Sequence, residues 1–210
     1  MKKKTILILF LIVLIIFMIY LKTKDVSVYY VNFIDSKLSF DTKYSSYIVN
    51  KLKEEEKLEE FIEFEYEDYR ITDFTKAIRD NSYIYINDKK HTIQNALIKA
   101  DLLTLNIGNN DIEYGLLKET EEDIYNYLDT LLLDLDTLLT EIKKYTKEQI
   151  MLIGYYDFEK EKEKYVEYFS LKVEKICNKI GIKYINDKKI NSGNVNLDIS
   201  NHILSEFTFP

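Results

Sequence analysis

The chain has 210 residues, enough for one ordinary domain plus an appendage, and its 46% hydrophobic content argues for a packed core and against disorder. Residues 1–25 hold five lysines and one aspartate, so the remainder carries 24 basic against 35 acidic residues, a net of −11; that balance disfavours nucleic acid and anionic lipid headgroups as partners. A single cysteine, Cys177, excludes an intramolecular disulfide, and the wealth of Ile, Lys, Asn and Tyr beside one Pro and no Trp reads as coding bias, not as a functional signal.

The first element is a membrane span. After three lysines comes "TILILFLIVLIIFMIYL", residues 5–21, with no charge, and then "KTKD". Seventeen apolar or near-apolar residues lie at the short end of a spanning helix, and flanking lysines can snorkel to extend the fit. The leading lysines set the N-terminus inside, and no A-x-A cleavage site or lipid-bearing cysteine follows. The alternatives are a cleaved signal peptide or a buried core helix. The reading adopted is an uncleaved signal-anchor (1–25) in the cell membrane, single-pass, with an extracytoplasmic domain over 26–210.

Within that domain, "VSVYYVNFI" (26–34) is β-rich and ends in the polar loop "DSKLSFDTK". Helical spacing follows through Tyr44, Tyr47, Ile48 and Leu52, and then "FIEFEY" (61–66) alternates as a strand does. "TDFTKAIRD" opens a helix with Thr72 as N-cap and Asp73 as a carboxylate favoured by the helix dipole. "YIYINDKKHTI" predicts a hairpin around Asn87-Asp88, with His91 on its surface, and "IQNALIKA" a short helix. A strand over 101–107, a long amphipathic helix over about 120–146, a buried strand in "QIMLIGYY" (149–156), a helix over 159–181 with Cys177 on its apolar face, and a short strand in "IKYIN" complete the order. "EEEKLEE" and "EKEKEKY" are solvated helix faces. Strand–helix alternation with continuously apolar strands means an α/β, flavodoxin-like three-layer sandwich with a mostly parallel sheet. In such sheets ligands bind beyond the carboxyl ends of the strands, and two ends stand out: "FIDS" and "IGNND".

On these two loops and their spacing, the chain resembles the SGNH (GDSL-type) hydrolases, more closely their membrane-anchored members from low-GC Gram-positive bacteria, over essentially all of residues 26–190. "NFIDSKLS" is similar to the family's first block, with Ser36 at the nucleophile position and Asp35 before it. "EDYRITDF" fits the second block, whose glycine position falls at Asp68. "ADLLTLNIGNND" fits the third, G-x-N-D, with Gly108, Asn110 and Asp111. The resemblance implies a serine ester hydrolase acting on a small-molecule, lipid or glycan ester, with no metal or cofactor. Ser36 would attack the carbonyl, and the oxyanion would be held by the N–H groups of Ser36 and Asp68 and by the Asn110 amide. "DISNH" supplies Asp198 and His202 as orienter and base, with one residue more between them than the family's D-x-x-H.

The departures are specific. Ile34 replaces the glycine before Asp35, and Asp68 brings a carboxylate toward a developing oxyanion, with Arg70 two residues on as a candidate to neutralise it. The family's closing helix after the histidine is expected to be absent, since eight residues follow His202. In isolation Ser36 reads equally as a loop or N-cap serine. The alternative function is therefore a degenerate member that binds at the surface without turnover. No cluster has metal-ligand spacing and no glycine loop could cradle a phosphate.

Overall fold

The computed structural model describes residues 27–35, 43–146, 148–155, 159–186 and 194–209. The apolar stretch 5–21 lies outside them, as does Ser36; among the described residues no helix is long and apolar enough to cross a membrane.

Seven strands and seven helices are described. β1 (Val28–Ile34) is followed by α1 (Tyr44–Glu54), β2 (Leu58–Glu65) and α2 (Ile71–Arg79). The hairpin β3 (Tyr83–Ile86) and β4 (Lys89–Thr92) leads into α3 (Ile93–Lys99), β5 (Leu102–Asn106), α4 (Asn109–Gly115) and α5 (Glu121–Ile142). Then come β6 (Gln149–Ile153), α6 (Glu163–Ile180), β7 (Lys183–Ile185) and α7 (Val195–Glu206). Five strands form one parallel sheet in the order β2-β1-β5-β6-β7, and the hairpin is a separate two-stranded antiparallel sheet. This is the doubly wound arrangement expected from the strand–helix alternation.

The two-residue period of the strands divides the core into two layers. Tyr29, Val31 and Phe33 of β1, Leu103 and Leu105 of β5, and Ile150 and Leu152 of β6 face the α2, α5 and α6 side. Val28 and Tyr30, Leu102, and Met151 and Ile153 face the α1 and α7 side, where Ile48, Leu52, Ile199 and Ile203 cover them. Burial of both strand faces explains why these strands read as unbroken apolar runs. Along α5 the stripe Ile124, Leu128, Leu131, Leu135 and Leu138 is buried, as its spacing requires. Cys177 is wholly buried in the same layer, and burial pushes its thiol up to about 12, so it is a core residue and not a nucleophile.

Two expectations need correction. The second helix begins at Ile71, so Thr72 lies inside it and is not its cap; Arg70 holds the N-cap position, and its N–H donates to the Asp73 carboxylate at 3.0 Å. His91 is buried, because the hairpin lays one face against the domain and His91 shares that face with its cross-strand partner Ile84. The last described helix, α7, itself carries "DISNH" and packs beside α1, with the Ser200 hydroxyl donating to the Tyr44 carbonyl at 2.9 Å.

Candidate functional site at the carboxyl edge of the sheet

The carboxyl ends of β1 and β5 lie side by side, with Ile34 paired to Asn106 and the Asp35 N–H donating to the Asn106 carbonyl at 3.1 Å. Beyond Asn106 the chain turns sharply at Gly108, whose φ of +98° lies in the left-handed region. A β-carbon there would sit 3.1 Å from the Tyr155 hydroxyl and 3.2 Å from Ile71 Cδ1, so conformation and space both select glycine.

That turn aims donors at one carboxylate. Asp35 Oδ2 accepts from the Gly108 N–H at 2.6 Å and from the Asn109 N–H at 2.8 Å, while the Asn109 amide donates to Oδ1 at 3.1 Å. Asp35 is fully buried. Burial pushes its carboxyl up to about 6, against the opposing pull of the Asn109 side chain and the three N–H groups of 108–110. Asp35 is thus the lock between the first and third sequence blocks. Asn109, singled out by nothing in its sequence surroundings, is a missed member of this set; its amide also donates to Asn106 Oδ1 at 2.8 Å.

Asn110 ties in the second block. Its Nδ2 lies 2.8 Å from the Asp35 carbonyl, 2.8 Å from the Glu67 carbonyl and 3.0 Å from the Tyr69 carbonyl. Two amide hydrogens shared among three carbonyl oxygens leave no donor aimed at open space. Asp68 sits in the exposed turn between these two carbonyls. Arg70 does not neutralise it: the guanidinium lies over the Tyr114 ring, 4.2 Å from its centroid. Asp111 is buried one step deeper and accepts from the Ile71 N–H at 2.9 Å, which fixes the start of α2. Burial raises its carboxyl and the Ile71 N–H opposes that rise.

The structure therefore brings Asp35, Asp68, Arg70, Gly108, Asn110 and Asp111 to one edge of the sheet, while Ser36 falls outside the described residues. Asp198 and His202 both lie on α7, Asp198 in its first turn, and His202 Nε2 faces Glu206 Oε1 at 3.8 Å one turn further along. Ser200 between them meets Tyr44, the first residue of α1, while Glu206 pairs with Lys183 at the start of β7 and Thr208 N–H donates to Gln149 at the start of β6. His202 thus lies part-way along a helix that runs from the carboxyl edge toward the amino edge of the sheet. The chain's other histidine, His91, lies in the hairpin with Nε2 4.0 Å from Glu60 near the start of β2.

No protein-family model matches the sequence, and no curated protein resembles it closely in sequence. Solved structures do match its fold. An acetylxylan esterase from Geobacillus stearothermophilus aligns at 17% identity with a TM-score of 0.62, over 90% of this chain and 98% of that one. A lipase from a goat rumen metagenome aligns at 14% identity with a TM-score of 0.65, over 86% of this chain and 97% of its own. The fold is that of the SGNH hydrolases. Identities this low establish shared architecture and leave the chemistry to be argued from residues. Solved variants of the SGNH-fold esterase are described as catalytic mutants at a serine, an aspartate and a histidine. In this chain the helix that closes the SGNH fold opens with Asn194 as its N-cap, whose side chain accepts from the Leu197 N–H at 3.1 Å.

Proposed function

We propose that this protein is an ester hydrolase of the SGNH type, held outside the membrane by residues 5–21, whose substrate carbonyl is attacked by Ser36 at the carboxyl edge of β1. The observation that carries the reading is the Asp35 lock. The first and third blocks are joined through three hydrogen bonds to one buried carboxylate, at the edge where an open α/β sheet binds its ligands. The likeness of the fold to an acetylxylan esterase and a lipase supports esters as the substrate class. A backbone N–H at Ser36 and one from the 67–69 turn would meet the oxyanion, and Asn110 would join them on giving up a carbonyl partner.

His202 would take the Ser36 proton, with Asp198 as its orienter; general-base assistance of this kind contributes on the order of 100- to 10,000-fold. The Asn110 amide, turned onto carbonyls, favours a second reading, in which the crevice binds an ester-bearing ligand without cleaving it.

Hydrolysis of a short nitrophenyl ester and labelling by a fluorophosphonate, both measured on the full chain and its Ser36→Ala variant, decide between them. Activity and labelling that vanish in Ser36→Ala support the hydrolase. Absence of both in folded protein leaves the binding reading, and activity unchanged in Ser36→Ala removes Ser36 from the site.

A further inference from the structure

We infer that the β3–β4 hairpin docks on the membrane that holds the N-terminal segment, so that the candidate site faces away from the bilayer and takes esters carried above it instead of the bilayer's own lipids. The inference rests on the anchored reading of residues 5–21.

The placement follows from topology. The apolar stretch ends at Leu21 and β1 begins at Val28, at the amino edge of the sheet. The intervening residues span at most about 20 Å, so the bilayer surface is close to that edge. The candidate site lies at the other end of β1, whose rise of ~3.3 Å per residue puts it roughly 20 Å further from the membrane. A short tether alone would let the domain tip over, and the hairpin supplies the second contact.

The hairpin occupies the correct edge. It links the end of α2 to the start of α3, and Lys89 Nζ reaches Glu60 near the start of β2 at 3.1 Å. Its inner residues Ile84 and Ile86 pack on the core, while Tyr83 and Tyr85 stand 50% and 65% exposed on its outer face with ring centroids 5.6 Å apart. Lys90 Nζ lies 4.0 Å from the Tyr83 ring centroid. Two exposed tyrosines beside lysines are the side chains that partition to the headgroup layer, with the rings toward the acyl boundary and the polar ends in water.

The chain has no tryptophan, so a single substitution reports its own depth. The full-length Tyr85→Trp and Leu117→Trp proteins are reconstituted in vesicles of phosphatidylglycerol and acyl-brominated phosphatidylcholine; Leu117 is 74% exposed and follows α4 at the site edge. The expected result is blue-shifted emission from Tyr85→Trp, quenched roughly twofold or more by bromine, and unshifted, unquenched emission from Leu117→Trp. Unquenched Tyr85→Trp in protein that floats with the vesicles overturns the docking, and so does equal quenching at both positions. Protein that fails to float overturns the anchored reading, and the docking with it.

Discussion

Gly108 shows how much of the site hangs on one backbone angle. Its φ of +98° and the 3.1 Å approach of the Tyr155 hydroxyl both reject a β-carbon. Gly108→Ala should destabilise the fold by about 2 kcal/mol, the cost of a left-handed non-glycine residue plus local crowding; urea denaturation showing less than roughly 0.5 kcal/mol would contradict the geometry. Asp35 makes a pH-dependent counterpart. Its folded value of about 6 stands above the ordinary carboxylate value of 3.8, because burial favours the protonated form. The unfolded chain therefore releases this proton first, and between about pH 4 and pH 6 the group's contribution to stability falls as pH rises, by ~3 kcal/mol in all. Asp35→Asn cannot ionise, so its stability relative to the parent should climb across that window and level off above it. A parent–variant difference that does not move with pH would refute the assignment. These residues also mark a limit of sequence reading: "IGNND" announced Gly108 and Asn110, but which amide proton meets which oxygen depends on where the 67–69 carbonyls arrive, and that is a tertiary fact.

At the scale of elements, the clearest case is Lys43, the N-cap residue of α1. Its side chain is 3% exposed, and Nζ meets Glu63 and Glu65 of β2, each at 2.9 Å. Burial works against its charge, and the Glu63 and Glu65 hydrogen bonds more than offset it, leaving the ammonium above its ordinary value. Glu63 in turn accepts from Asn32 at 2.8 Å and Ser45 at 2.9 Å, so removing Lys43 leaves a shared buried carboxylate uncompensated. Lys43→Met should cost about 2–3 kcal/mol, moderated by the partial exposure of Glu65, and adding Glu63→Gln should recover part of it. Additive losses in that double-mutant cycle would argue against coupling. Nothing in "FDTKYSS" signals this pairing, because charge neighbours across a parallel crossover are far apart in sequence.

Element boundaries divide the same way. α5 and α6 are legible from periodicity, and the hairpin from Asn87-Asp88, whose φ values of 49° and 60° suit a tight two-residue turn. α4 is seven residues long and reads as a loop because its first turn is the polar "NND". α7 hides its buried residues Ile199 and Ile203 among Asn, Ser and His, which obscures their four-residue spacing.

Taken whole, the molecule has two apolar layers that share every central strand, so they should unfold together. Ile203→Ala in α7 removes a fully buried side chain from the smaller layer and should cost about 3 kcal/mol. The expected result is one thermal transition shifted down by about 6–12 °C, with no separate early phase; calorimetry resolving two transitions would show that α7 forms its own cooperative unit. The same architecture separates what can be read from sequence from what cannot. Alternating strands and helices declare the parallel sheet, whereas the meeting of Lys43 with Glu63 and Glu65 depends on how the chain crosses from β1 to β2, and no local stretch of sequence encodes it.

The hairpin has a further consequence, for solubility. β2 is one outer strand of the sheet and would offer unpaired backbone groups to any passing chain. Lys89 and Ile86 instead crowd its first half, with a cleft lined by Leu58, Phe61 and His91 between them. The opposite outer strand, β7, is three residues long, too short to template a neighbour. The first half of one outer strand is thereby covered and the other outer strand is short, which limits strand-by-strand growth of a domain so rich in apolar strands.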